Sequence, residues 1–562
     1  MTAHPSAVFA REMIVALVAR GVEDFVLCPG SRSGPLAHAL ADAGGDSPPL
    51  GAPRVNLHVR IDERAAAFLA LGLARGRAVT GAPRPVAVIT TSGTAVGNLL
   101  PAVMEAHHAG VPLLLLTADR PGELRGVGAN QTTDQVGIFG TFVRWSADAA
   151  APSEGEAPGR AAALAYRAVA ISLGDPARDD MTGTPGPVHL DLEFRDPLGA
   201  DGGLWLDPPH LELTPSAGMA AVTPGLIGAA TPAQAPLPAV ERGIVIAGDG
   251  ATDVAREVAE AHGWPLLAEP TSGARSGPAC VPGYLDLLRI DEGRALADQI
   301  HQVVVIGRPT LSRPVQQLIA RAPALFVAGH GARWREAPRH ADRIVRDVPG
   351  SWVNRSDGQL DLGDSAWLAR WHQAAALVEP DGESWGPRAV ARALVASLTP
   401  GAVAVIGSSG PIRALDAVAP AWQPGAEPVL IANRGLAGID GTVSTAVGVA
   451  LACARPVLAV MGDVTFLHDV GGLLIGPREA RPRLRIVVVN DGGGTIFASL
   501  EHAGGDARNV ERVFTTPHGA DLGALCAGYG VRHTRVTNAD ALAKALAAPV
   551  TALEVVEAKL RS

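Results

Sequence analysis

Three times along the chain, short apolar runs rich in Val, Ile and Leu alternate with longer helical patterns. The first set contains Asp24–Leu27, Leu57–Ile61, Val86–Thr90 and Pro112–Leu116. The second contains Ile244–Ala247, Val303–Ile306 and Ala324–Val327, and the third Val403–Ile406, Val429–Ile431, Val457–Val460 and Ile486–Val489. Unbroken apolar runs of strand length suit strands buried on both faces, the habit of parallel sheets covered by helices. The pattern predicts an α/β protein of three domains, each a mainly parallel sheet flanked by helices. A chain of 562 residues is too long for one core. The limits read as 1–196, 197–380 and 381–562. A Pro/Ala/Gly-rich stretch, 197–238, reads as a linker, and Glu379–Gly382 marks the later boundary.

The formal net charge of −9 argues against nucleic acid or an anionic membrane as partner, while leaving room for local cationic pockets. Four cysteines (Cys28, Cys280, Cys453, Cys526) lie scattered, without metal-ligand spacing, as in a reduced cytoplasm. The N-terminus has no apolar signal core. The longest apolar stretch, Ala446–Met461, is broken by Arg455-Pro456 and reads as helix, turn and strand. A cytoplasmic protein without membrane insertion is the expectation.

Several strand ends carry chemistry, and ligands of open α/β sheets collect there. Asp463 and Asn490 stand 27 residues apart, each at the end of an apolar run. Their oxygens on two parallel strands can share a hard cation such as Mg²⁺, completed by water and phosphate oxygens. The glycines 492–494 beside them allow close backbone approach to a diphosphate. Gly248-Asp249-Gly250 is an earlier copy, but Ser276 stands at the same interval, so it reads as a structural loop. Ser31 and Arg32 follow the first strand, where Arg32 offers a fork for a carboxylate; the plainer reading is a helix-starting turn in solvent. Asp62 and Glu63 open an Ala-rich helix, Ala65 to Arg75, where acids are favoured on electrostatic grounds alone. Thr91–Thr94 opens another helix, Ala95 to His108, on which adjacent His107 and His108 point too far apart to chelate together. A polar loop brings Arg120, Asn130 and Gln131 together in sequence. Gly407-Ser408-Ser409-Gly410 is small enough to sit over phosphate oxygens, and Ile439 lies between glycines. In the middle domain Arg275, Arg308 and Arg313 read as a solvated surface set, with an anionic effector site as the alternative.

The strand-end pair is similar to the diphosphate signature of thiamine-diphosphate enzymes. Taken with the strings CPGSRSGPL, HVRIDERAAAFLALGLARG, TTSGTAVGNLLPAVMEA, LTADRP, GANQTTDQ, GPVHLDLEFRDPL, GSSGPIRALD, NRGLAGIDGTVSTA, GDVTFLHDVGGLL and NDGGGTIF, the chain resembles the MenD family, the 2-succinyl-5-enolpyruvyl-6-hydroxy-3-cyclohexene-1-carboxylate synthases. The resemblance implies a pyrimidine-binding domain, a middle domain that holds no cofactor, and a diphosphate-binding domain. It implies thiamine diphosphate with Mg²⁺ (Mn²⁺ as a substitute), and a homodimer or dimer of dimers whose active sites are shared between two chains. The reaction implied is decarboxylation of 2-oxoglutarate and conjugate addition of the succinyl-semialdehyde carbanion to isochorismate, in menaquinone biosynthesis.

Carried over by position, Glu63 becomes the partner of the aminopyrimidine N1′ and Ile439 the wedge under the bent cofactor. Asp463, Asn490 and Gly492 become the metal ligands. Ser408, Ser409, Gly410, Gly438, Asp440, Val464, Thr465, Gly493, Gly494 and Ile496 complete the cofactor site. Ser31, Arg32, Arg120, Asn130, Gln131, Ser409, Arg413, Arg434 and Phe497 become the substrate site. Three departures stand out: Val489 where the family has a second Asn, one extra residue (Thr495) in the metal turn, and Ser408 in place of Asn. An ungapped alignment would move the ligands to Asp491 and Gly493; the strand interval favours Asn490. Two other readings are a different thiamine-diphosphate decarboxylase or carboligase, and a non-catalytic binding protein on the same fold.

Overall fold

The computed structural model describes residues 4–81, 83–175, 178, 181–200, 202–205, 235–329, 340–354, 365–378, 384–499 and 504–560. Three sheets organise them. The first has six strands in the order Asn56–Val59, Asp24–Leu27, Val86–Thr90, Leu113–Asp119, Val188–Glu193, Trp145–Ala149. The second has five, Arg343–Val345, Leu325–Ala328, Gln302–Ile306, Gly243–Ala247, Leu266–Ala268. The third has six, Val429–Ile431, Val403–Ile406, Val457–Gly462, Leu484–Asn490, Glu554–Lys559, Arg532–Val536. Pairing is parallel in each: Val26 lies between His58 and Val88, Val245 between Leu266 and Val304, and Ala404 between Leu430 and Leu458. The expected α/β architecture of parallel, helix-covered sheets is what the chain forms.

The chain packs as two compact units that do not follow chain order. One holds residues 1–223, 440–456 and 468–484, and the other 224–439, 457–467 and 485–562. In the first unit, Asp62 caps the helix Glu63–Val79 by accepting the Ala65 N–H at 3.0 Å. This helix buries residues on nearly every side, because it lies against both its sheet and the helix Thr442–Cys453. Its expected neighbour, one helix from Ala95 to His108, is two helices, Thr94–Gly97 and Leu100–Ala109. Pro101 fits the second of these in its first turn, where no N–H is needed. The strand expected to run to Ile61 ends at Val59. His107 Nδ1 lies 3.0 Å from the Phe142 carbonyl oxygen and 2.8 Å from Arg144 Nη1, a structural role.

In the second unit, Trp264, Trp352 and Trp371 are fully buried around the second sheet. The expectation of a solvated Arg275 is corrected here: it is buried and pairs with Asp416 at 2.7 Å. Its guanidinium also donates to the carbonyls of Ala268, Asp416 and Ala419, and the Tyr284 hydroxyl donates to Asp416 at 2.8 Å. A buried cation is tolerated only with such full pairing. The network ties the second sheet to the helix Gly410–Val418. Arg313, by contrast, is exposed, and with Arg388, Arg392 and Arg413 it borders a cavity of about 690 Å³. Most of the predicted 197–238 linker (206–234) and the 379–382 boundary lie outside the described residues. Among the described residues no helix is long and apolar enough to cross a membrane.

Candidate active site

Two groups of the predicted residues come together, one in each unit. In the first unit, Glu63 is the first residue of its helix, half-buried, and accepts from Asn98 Nδ2 at 3.2 Å. Arg120 is buried and donates to the Ser92 hydroxyl. That hydroxyl donates to Gln131 O at 3.0 Å, and Gln131 Nε2 returns a bond to Ser92 O at 2.9 Å. Gln131 has a φ of 59°, and its side chain lies across Gly93, whose φ is 82°. Gln135 supports this loop from below: its amide accepts from Gly93 N (3.1 Å) and donates to Asp191 Oδ1 (2.6 Å) and Ala118 O (3.2 Å). Arg32 donates to Phe194 O at 2.8 Å and lies 3.5 Å from Asp196. Burial, and then the charge of Arg32, lowers the pKa of Arg120. Two converging guanidiniums of this kind favour a bound anion. Ser31 and Asn130 are exposed, in the loops that follow the strands Asp24–Leu27 and Leu113–Asp119.

In the second unit, Asp463 and Asn490 are both buried and end neighbouring strands. The Gly492 N–H donates to Asp463 Oδ2 at 2.8 Å and to Asn490 Oδ1 at 3.1 Å, so the two side-chain oxygens converge. Asp491 accepts from the Thr495 hydroxyl. An all-oxygen pair with a flexible glycine carbonyl beside it suits Mg²⁺. Gly493 is pinned near Thr515, since a Cβ there would stand 2.4 Å from the Thr515 oxygen. Gly494 N donates to Thr515 O at 2.6 Å, and Ile496 and Phe497 follow in the short turn Thr495–Ser499. Val464 and Thr465 occupy the helix start after Asp463, with Val464 N on Asp463 Oδ1 at 2.7 Å. Ser408 is buried with its hydroxyl 3.5 Å from Asn433 O. Ser409, at φ 71°, caps the helix Gly410–Val418, a start suited to phosphate oxygens. Arg413 is exposed and donates back to Ser409 O at 2.8 Å. Arg434 is buried, whereas Gly438 and Ile439 lie half-buried in the following turn; Asp440, also half-buried, belongs to the first unit.

Several neighbours had no signal in local spacing. His518 sits 3.1 Å from Asp463 Oδ2, and Lys559 and Glu557 hold the two ends of the Asn490 amide at 3.2 and 2.7 Å. Asn98 reaches the site through Glu63, Ser92 through Arg120 and Gln135 through Gly93.

Comparison with known proteins bears on the family and the fold. Residues 8–138 match the thiamine pyrophosphate enzyme, N-terminal TPP binding domain, and residues 418–556 the corresponding C-terminal TPP binding domain. A 2-succinyl-5-enolpyruvyl-6-hydroxy-3-cyclohexene-1-carboxylate synthase of Kineococcus radiotolerans is 46% identical, over 99% of this chain and 96% of its own. A protein of the same name from a Nocardioides species is 44% identical over 98% and 94%. Among solved structures, benzoylformate decarboxylase from Polynucleobacter necessarius superposes with a TM-score of 0.66 over 98% of both chains. At 19% identity that likeness speaks for the fold alone.

Proposed function

The chain belongs to the 2-succinyl-5-enolpyruvyl-6-hydroxy-3-cyclohexene-1-carboxylate synthase family, and we propose that it carries out that synthesis from 2-oxoglutarate and isochorismate, a transferase step of menaquinone biosynthesis. The observation that carries the reading is near-full-length identity to relatives of that name. Thiamine diphosphate, when bound, would supply the electron sink that lets the 2-oxoacid lose CO₂. The rest is the work of this chain's residues. Glu63 holds a proton at N1′ of the aminopyrimidine, with Asn98 fixing its second oxygen. Asp463, Asn490 and the Gly492 carbonyl hold Mg²⁺ (Mn²⁺ as a substitute), while Ser408, Ser409 and Gly410 offer hydroxyl and N–H groups to the diphosphate. Ile439 supplies the apolar wedge that keeps the cofactor bent. Arg32 and Arg120 in one group, and Arg413 and Arg434 in the other, receive substrate carboxylates. Domains at 1–196, 197–380 and 381–562, a cytoplasmic location, and a homodimer or dimer of dimers belong to the same proposal.

The test is a product assay with purified protein, thiamine diphosphate and Mg²⁺. 2-Oxoglutarate with isochorismate should give product, and pyruvate should not replace 2-oxoglutarate. Glu63→Gln should lose about 10²–10⁴-fold in turnover while still binding cofactor. Equal use of pyruvate, or near-wild-type turnover in the variant, would overturn the substrate or the Glu63 assignment respectively.

A further inference from the structure

Arg434 is in an unusual position for a charged side chain. It is only 4% exposed, its Nε has no hydrogen-bond partner, and among the described residues no carboxylate lies within ion-pair distance of it. A buried cation without an anion is costly, so the arrangement calls for a ligand to supply one. What does hold Arg434 comes from the second sheet. The Thr310 hydroxyl accepts from its Nη2 at 2.7 Å, and Arg308 Nη2 donates to its carbonyl at 2.6 Å.

Thr310 and Arg308 lie on one turn, and that turn is anchored three ways. Asp249 and Arg308 exchange backbone bonds at 3.0 and 3.1 Å. Gly248 admits the turn because it has no side chain: a Cβ would stand 1.9 Å from Pro309 N. Leu311 N donates to Glu269 Oε1 at 2.8 Å, and Glu269 is buried. The Gly248-Asp249-Gly250 loop, an apparent spare copy of the strand-end motif, thus braces the turn that grips Arg434.

We propose that Thr310 is a positioning residue, which with Arg308 makes the second sheet's Gly307–Leu311 turn the support that aims Arg434 at a substrate carboxylate. This rests on the reading of Arg434 as a substrate ligand. Burial pushes Glu269 up to about 8, countered in part by its bond from Leu311 N–H, so at neutral pH it stays largely uncharged and does not compete for the arginine. The guanidinium keeps its charge for the incoming ligand, and the middle domain acts on the reaction without touching cofactor.

Steady-state kinetics with each substrate varied in turn test it, using Arg434→Ala, Thr310→Val and Thr310→Ser. Arg434→Ala identifies which substrate KM depends on the arginine. Thr310→Val should raise that same KM about tenfold, the scale of one hydrogen bond to a charged group, and leave kcat within about twofold. Thr310→Ser keeps the hydroxyl and should restore the KM. Thr310 is exposed, so thermal midpoint and thiamine diphosphate affinity should be unchanged in both variants. If Arg434→Ala leaves both KM values normal, the substrate reading of Arg434 fails. If Arg434→Ala raises a KM and Thr310→Val does not, that reading stands and the positioning role is overturned. A Thr310→Val defect that adds to Arg434→Ala in the double variant also overturns it, since a residue acting through Arg434 has nothing left to act on.

Discussion

Asn490 and Asp491 are adjacent, yet their side chains do different things. Asn490 Oδ1 shares the Gly492 N–H with Asp463 Oδ2, while Asp491 is engaged by Thr495. Burial raises the pKa of Asp491, and the charge of Asp463 adds to it, so a second full charge beside Asp463 is disfavoured in the free protein. Asp463→Ala should therefore abolish Mg²⁺-dependent binding of thiamine diphosphate. Asn490→Ala should weaken it by at least about tenfold, and Asp491→Ala less. Calorimetric titration with and without Mg²⁺ gives the order; a larger loss in Asp491→Ala would move the ligand by one residue. The Asp463–Asn490 relation was legible because a fixed strand interval joins the two. His518 was not, because it lies 55 residues beyond Asp463 and no spacing ties them. Thr310 was hidden for a similar reason, since its partner Arg434 is 124 residues away.

The helix Glu63–Val79 and its partner Thr442–Cys453 meet through glycines. A Cβ on Gly72 would stand 2.1 Å from the Thr445 oxygen, and one on Gly448 would stand 2.3 Å from the Leu69 oxygen. Gly76 repeats the pattern against Ala452 at 2.6 Å. Backbone cannot yield as a side-chain tip can, so Gly72→Val should force the helices apart at about 1–3 kcal/mol or more. Glu63 begins one of these helices, so turnover should fall with stability. Gly528→Ala is the control: it ends the helix Leu522–Gly528 with no atom within 4 Å of a new Cβ, and should be neutral or slightly stabilising. Thermal melting of both variants checks this, and an unchanged midpoint in Gly72→Val would mean the helix pair is looser than the contact implies. The first helix was legible from its Ala-rich run and the second from the apolar stretch that begins at Ala446, but not their contact, which spans hundreds of residues. Interior strands such as Val86–Thr90 and Val457–Gly462 were legible because burial on both faces makes them apolar throughout, whereas the interior strands Val188–Glu193 and Glu554–Lys559 were not, because His and acidic residues interrupt their apolar runs. Trp145–Ala149 and Arg532–Val536 escaped because they are edge strands, half solvent-facing and correspondingly polar.

Across the whole molecule, net charge describes little of what ionisation does. Asp24 is below its usual range at about 2: burial would raise it, but hydrogen bonds from His58 and Arg77 and the Arg77 charge overcome that. Its stabilising share is complete above the ordinary Asp range and is lost only as pH falls towards 2. Burial lowers His189 to about 4 against the opposing charge of Asp148, so keeping it neutral costs stability only below the ordinary His range. Asp191 and Glu269 go the other way, pushed by burial to about 7 and about 8. Folded protein keeps protons there that the unfolded chain has released, so stability falls as pH rises until each folded pKa is passed. Between pH 6.5 and 8.5, roughly, the Asp24 and His189 contributions are flat, and Asp191 and Glu269 each add a slope of about 1.4 kcal/mol per pH unit for as long as the folded protein retains the proton. Glu269→Gln removes one of them while keeping an oxygen for the Leu311 N–H. The wild-type thermal midpoint should fall across this window, and the variant's should fall less, by on the order of 1–2 °C. Equal slopes in the two proteins would mean that Glu269 is already ionised at neutral pH, and that the charge of Arg434 is then partly answered from within the chain rather than left for a substrate.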